Sequence, residues 1–171
     1  MTWTSTSVPY LTPSAPGEPD AWTTQSKGRG SQRILSAGEQ HATAEVAAAL
    51  GLAEGATVVH RSRLILLDGV PIEIVNSHWP AEWAAGTALA ELEPIKGGAV
   101  RLLADLGWKS GKSIDDLSAE LADEMWAPTV EPGTPLLVIR RTLLTHDNAP
   151  FEHTVMASWD GHRQRYVLEA S

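Results

Sequence analysis

An α+β domain, an antiparallel sheet with flanking helices, is predicted by three features of this 171-residue chain. Two runs rich in Val, Ile and Leu, 56–67 and 70–78, are joined by Asp68-Gly69, the strongest short-range hairpin signal a sequence offers. A second pair of runs, 134–145 and 150–159, encloses the turn residues Asp147-Asn148. Short segments with helix caps and stops lie before and between the two pairs.

Taken in order, residues 1–30 are rich in Pro, Thr, Ser and Gly. They read as an arm or linker lying over a body, with Tyr10, Leu11 and Trp22 as apolar anchors. Regular patterning starts near Gln32, where Ile34 and Leu35 begin a strand. Thr43 to Leu50 is a short helix: Thr43 suits the N-cap, Ala and Val fill the turns, and Gly51 is a natural stop. Pro71 follows the first hairpin turn, where a missing N–H is tolerated. Residues 79–92 read as one or two helical turns broken at Gly86-Thr87. Gly98 to Leu106 is a clearer helix, with Val100, Leu102, Leu103 and Leu106 on its apolar side and Gly107 as its stop. Residues 108–122 fit two descriptions, a helix capped by Ser113 and Asp116 or a kinked strand carrying Ile114, Leu117, Ala119 and Leu121. Arg165 to Leu168 closes the chain.

The two hairpins match at a fixed offset of 79 residues, which sets Arg61 on Arg140, Leu64 on Leu143, Asp68 on Asp147, Pro71 on Pro150 and Glu73 on Glu152. A duplicated strand–turn–strand unit with helices is the expectation, both copies lying antiparallel in one sheet. Within the first hairpin, Arg61 and Arg63 are two apart and share a face of their strand. Spacing leaves two readings open: a solvated sheet surface with Glu73 or Asp68 nearby, or a clamp for a carboxylate or phosphate.

Thirteen Lys and Arg stand against twenty-one Asp and Glu, a net charge of −8. With no basic block, this chain is not expected to grip a phosphate backbone itself. The absence of cysteine excludes disulfides, thiolate metal sites and a cysteine nucleophile. No apolar run approaches the roughly 20 residues of a membrane span, and the first residues lack the pattern of a signal peptide, so a cytoplasmic location is expected. The histidines form no helical i, i+4 pair and no H-E-x-x-H, and neither metal nor cofactor is expected. Trp83, Trp108, Trp126 and Trp159 read either as a ring around a planar ligand or as core and dimer contacts.

Ordered motifs carry the reading further: Leu50-Gly51-Leu52, Gly55, Arg61-Ser62-Arg63-Leu64, Asp68-Gly69-Val70-Pro71-Ile72-Glu73 and Ser77-His78-Trp79-Pro80. They continue with Gly133-Thr134-Pro135-Leu136-Leu137, Arg140-Arg141-Thr142, Pro150-Phe151-Glu152 and Arg165-Tyr166. The set resembles the UTRA domain, the effector-binding domain of HutC-type regulators in the GntR superfamily, over roughly residues 34–168. The arm and Gly97-Gly98 are similar to actinomycete members of the plasmid-transfer kind.

The resemblance implies a chorismate-lyase-like fold, a small-molecule pocket built by two related halves, and a homodimer. It implies an arm over 1–30, a sensing and dimerisation domain over 31–171, and operator DNA read only through a winged helix-turn-helix that this chain is expected to lack. Arg61 and Arg63 match strand arginines that contact anionic ligands in sugar-phosphate sensors, and Glu152 matches an acidic residue that bonds ligand hydroxyl or amide groups. Gly97, Gly98 and Ala99 stand where those sensors place Ser and Tyr for the phosphate, so this sequence departs from that pattern, although the N–H groups of Gly97 and Gly98 at the helix start, with Lys96 adjacent, are still expected to hold an anion. His78 and Trp79 follow the hairpin and are further candidates for the pocket wall. Two rivals remain: a chorismate-lyase-like enzyme using Arg61, Arg140 and Glu152, and a ligand-free dimerisation or docking module.

Overall fold

The computed structural model describes residues 3–126 and 129–167. Along them run β1 (Trp3–Thr6), α1 (Ala21–Gln25), β2 (Gly30–His41), α2 (Ala44–Leu50), β3 (Thr57–Leu67) and β4 (Val70–Pro80). There follow α3 (Ala81–Ala84), α4 (Ala99–Asp105), β5 (Lys112–Leu121), β6 (Pro135–Leu144), β7 (Pro150–Ser158) and β8 (His162–Arg165). Six strands form one antiparallel sheet in the order β2-β3-β4-β7-β6-β5. The class is the α+β one the sequence predicts. Among the described residues, no helix is long and apolar enough to cross a membrane.

Local chemistry explains most of the elements. Asp68 and Gly69 take φ values of 51° and 79°, the paired positive angles of a two-residue turn that suits strand twist. The Thr43 side chain accepts from the Val46 N–H at 3.3 Å, and Gly51 ends α2 in the left-handed region at φ 66°. Residues 108–122, left open between helix and strand, contain β5, which pairs with β6 along its whole length. Ser113 caps no helix there; its hydroxyl donates to Asp115 Oδ1 at 2.8 Å.

The duplicated unit is present, with β2-β3-β4 facing β7-β6-β5 across the middle of the sheet. Its register differs from the constant 79-residue offset. The first turn holds two residues between Leu67 and Val70, whereas the second holds three between Thr145 and Ala149. Arg63 lies opposite Val75, and Arg141 opposite Thr154. So β3 maps onto β6 at 78 residues while β4 maps onto β7 at 79. The structural mate of Arg63 is therefore Arg141, and Arg61 is not the mate of Arg140. A one-residue slip moves a side chain to the opposite face, and Arg140 indeed turns away to bond Glu45 of α2 and Glu120.

One face of the sheet packs Leu64, Ile74, Val138 and Ala157 against Trp126 and Val130, with α2 beside them. The other packs Val59, Trp79, Leu143 and Phe151 against α3 and α4. Over that second face lies the N-terminal segment, which is more structured than a linker. β1 pairs in parallel with β8, Asp20 caps α1 through the Thr23 N–H at 2.7 Å, and Trp22 is buried. Leu168, expected in the closing segment, lies outside the described residues.

Candidate ligand-binding site

Between the sheet and the N-terminal segment is a cavity of about 150 Å³. Its sheet wall carries one arginine and one glutamate from each half of the repeat, Arg63 and Glu73 from the first, Arg141 and Glu152 from the second. The glutamates are held reciprocally. Ser158 Oγ donates to Glu73 at 2.6 Å, and Trp79 Nε1 donates to Glu152 at 3.1 Å, Trp79 and Ser158 being themselves 79 residues apart. Thr154 Oγ1 donates to the second Glu152 oxygen at 2.9 Å.

The arginines are held differently. Across the strands, Arg141 stands opposite Asp115, and its Nε and Nη2 reach the two carboxylate oxygens at 2.7 and 2.6 Å. Ser7 bonds both members of this pair, and Tyr166 OH donates to Asp115 at 2.9 Å. Burial alone raises the Asp115 carboxyl, but the hydrogen bonds and charge of Arg141, helped by Ser113 and Tyr166, hold it down at about 2. Arg63 stands opposite Ile34. It makes no ion pair among the described residues, its Nη2 reaches Ser77 Oγ only at 3.5 Å, and its Nε is buried without a partner. Burial lowers its pKa, opposed by the charges of Glu152 and Glu73, yet a guanidinium remains protonated in proteins. One half of the cavity has an arginine in a bidentate ion pair, and the other has a half-buried arginine that feels Glu152 and Glu73 but touches no carboxylate among the described residues.

Of the residues singled out in the sequence, Arg63, Glu152, Gly97 and Gly98 border the cavity. Gly98, at φ 82°, passes Asp20 so closely that a Cβ would lie 3.2 Å from the Asp20 Cβ. Arg61 shares the face of Arg63 but is buried against the 88–93 loop. Its Nη1 bonds the Glu91 carbonyl and its Nη2 the Glu93 carbonyl at 2.7 Å. Lys96 is exposed and outside the wall. Trp79 is fully buried and acts on the cavity only through Glu152. His78 lies in register between His60 and His153, away from the cavity, and burial with the charge of His60 pushes it down to about 4.

Sequence reasoning missed the wall residues Trp3, Tyr10, Glu73, Arg141 and His162 as site candidates. Glu73 was already visible as the repeat mate of Glu152. The other four are brought in by register and by packing of the chain ends. The four tryptophans considered as a ligand ring lie elsewhere: Trp108 stacks with Phe151 and meets Trp83 in one core cluster, while Trp126 and Trp159 belong to another.

The family model of the UTRA domain matches residues 26–158. An uncharacterized HTH-type transcriptional regulator of Streptomyces coelicolor is 31% identical over 119 residues, which is 67% of this chain and 44% of that protein. The chain thus spans under half the length of the curated relative it matches. Among solved structures, the ligand-binding domain of a protein assigned to the GntR family, from Bordetella bronchiseptica, superposes with a TM-score of 0.69 at 30% identity, covering 83% of this chain and 92% of that one. The effector domain of PhnF from Mycobacterium smegmatis gives 0.73 at 19% identity, with 93% and 99% covered, a likeness of fold.

Proposed function

Because the chain belongs to the UTRA family, and is the effector-binding domain of a GntR-family transcriptional regulator, we propose that it senses a small anion at Arg63. Members of this family are regulator domains, not enzymes. The observation that carries the reading is the half-buried Arg63, whose Nε is shut off from solvent without a partner, and which faces a cavity and stands opposite Ile34 where its mate Arg141 has Asp115. A buried N–H donor left without a partner is costly, and an anion entering the cavity gives the Arg63 Nε the acceptor it lacks. A ligand-free docking module has no use for such an arrangement.

In this proposal the sensor works in the cytoplasm as a homodimer joined to winged helix-turn-helix domains that read the operator. The outer edge of the sheet supports pairing of two copies: Ile114, Leu117 and Leu121 are exposed along β5, which has an unpaired side. An anion that prefers one dimer arrangement shifts the spacing of the DNA readers, with a coupling of about 1–3 kcal/mol.

The test is a thermal-shift screen of carboxylates, phosphates and lactones, with native mass spectrometry of the same sample. A binder at 100 times its Kd is expected to add about 2.7 kcal/mol, and Arg63→Ala to abolish that shift. Hits that survive Arg63→Ala with unchanged affinity sink the anion site.

A further inference from the structure

Resting on this cavity as the effector site, we infer that the effector is a monoanion, a carboxylate rather than a phosphate monoester, whose compact apolar body is seated by Trp3 and Trp22. Charge around the cavity limits how much negative charge can enter. Among the described residues, the wall holds two guanidiniums, and of these Arg141 is paired with Asp115 whereas Arg63 has an unpartnered Nε and no carboxylate in contact. Glu73, Glu152 and Asp20 border the same space. One carboxylate matches one guanidinium, whereas a second negative charge has no counter-ion and meets three carboxylates.

Part of the cavity wall is apolar. Trp3 and Trp22 meet edge to face, with centroids 5.2 Å apart at 82°, and pack in one cluster with Ile65, Ile72, Val75 and Met156. Trp22 Nε1 already donates to the Ser31 carbonyl at 3.2 Å, so its ring offers the ligand hydrocarbon rather than a donor. A space of about 150 Å³ suits a body of roughly one six-membered ring. Trp3 lies before residue 26 and His162, which it faces across the β1–β8 pair, lies after residue 158, so this part of the wall comes from outside the stretch matched by the family model.

Isothermal titration calorimetry on the full chain tests this with benzoate, cyclohexanecarboxylate, acetate and phenyl phosphate. Both ring carboxylates are expected to bind about tenfold or more tighter than phenyl phosphate and than acetate. Trp3→Ala, at a half-buried position, is expected to weaken the ring carboxylates about tenfold and to leave acetate unchanged, with the melting curve showing the fold intact. Phenyl phosphate binding as tightly as benzoate, or no binding of either ring carboxylate, overturns the inference. Unchanged benzoate affinity in Trp3→Ala removes the seat assigned to the N-terminal segment. Tight phenyl phosphate that is lost in Arg63→Ala would leave the anion sensor standing while ending the carboxylate assignment.

Discussion

Arg63 and Arg141 occupy matching places in the two halves of one sheet, and what separates them is the residue opposite each on the next strand. Arg141 has Asp115, with Ser7 and Tyr166 completing the shell, and this half is saturated. Arg63 has Ile34 and a long contact to Ser77. Duplication supplied two equivalent cations, and a single cross-strand position gave one of them a carboxylate in contact and the other an isoleucine. The saturated half also fastens the N-terminal segment, because Ser7 reaches Arg141 and accepts from Gln164 Nε2 of β8 at 2.8 Å.

The comparison breaks most directly at Asp115. Its replacement by Ala leaves Arg141 as a buried cation without a carboxylate, an expected loss of about 3–5 kcal/mol measured by urea unfolding. A loss under about 1 kcal/mol would mean that the two halves do not differ in electrostatics. Protons probe the same pair more gently. Asp115 is held below its ordinary value of 3.8, so its contribution is complete above that pH and is lost as pH falls toward about 2, an effect of about 2–3 kcal/mol. His78, depressed from 6.5 to about 4, adds an earlier limb: the unfolded chain takes up its proton first, and stability falls between those two pH values. The early limb is expected to shrink in His78→Gln, and the late limb to vanish in Asp115→Ala, each read from melting temperature against pH. The smallest change sharpens the comparison. Ile34→Asp gives Arg63 the counter-ion that Arg141 already has, and is expected to weaken anion binding about tenfold, near 1.4 kcal/mol, in calorimetric titration. Unchanged affinity would place the anion away from Arg63.

Much of the fold was legible because its signals are local. The Asp68-Gly69 turn, the Thr43 cap, the Gly51 stop and the break at Gly86-Thr87 each depend on a few neighbouring residues. β5 was ambiguous because its apolar residues keep no strict period of two and many are exposed at an edge. The site was legible in part. Two-residue spacing rightly set Arg61 and Arg63 on one face, but it could not tell that the 88–93 loop carbonyls would capture the first and leave the second.

By itself, the sequence determined the fold class, the duplicated unit and the family, since turn chemistry, caps and ordered motifs are all written along the chain. Tertiary structure decided which arginine is open. The turn after β6 is one residue longer than the turn after β3, so only cross-strand register sets Arg141 rather than Arg140 on the face that carries Arg63, and Ile34 rather than a carboxylate opposite Arg63. It also decided that Trp3 and His162, 159 residues apart, would pair across the β1–β8 ribbon and close the cavity. Such pairing rests on long-range packing and backbone hydrogen bonds, to which the identities of neighbouring residues carry no pointer.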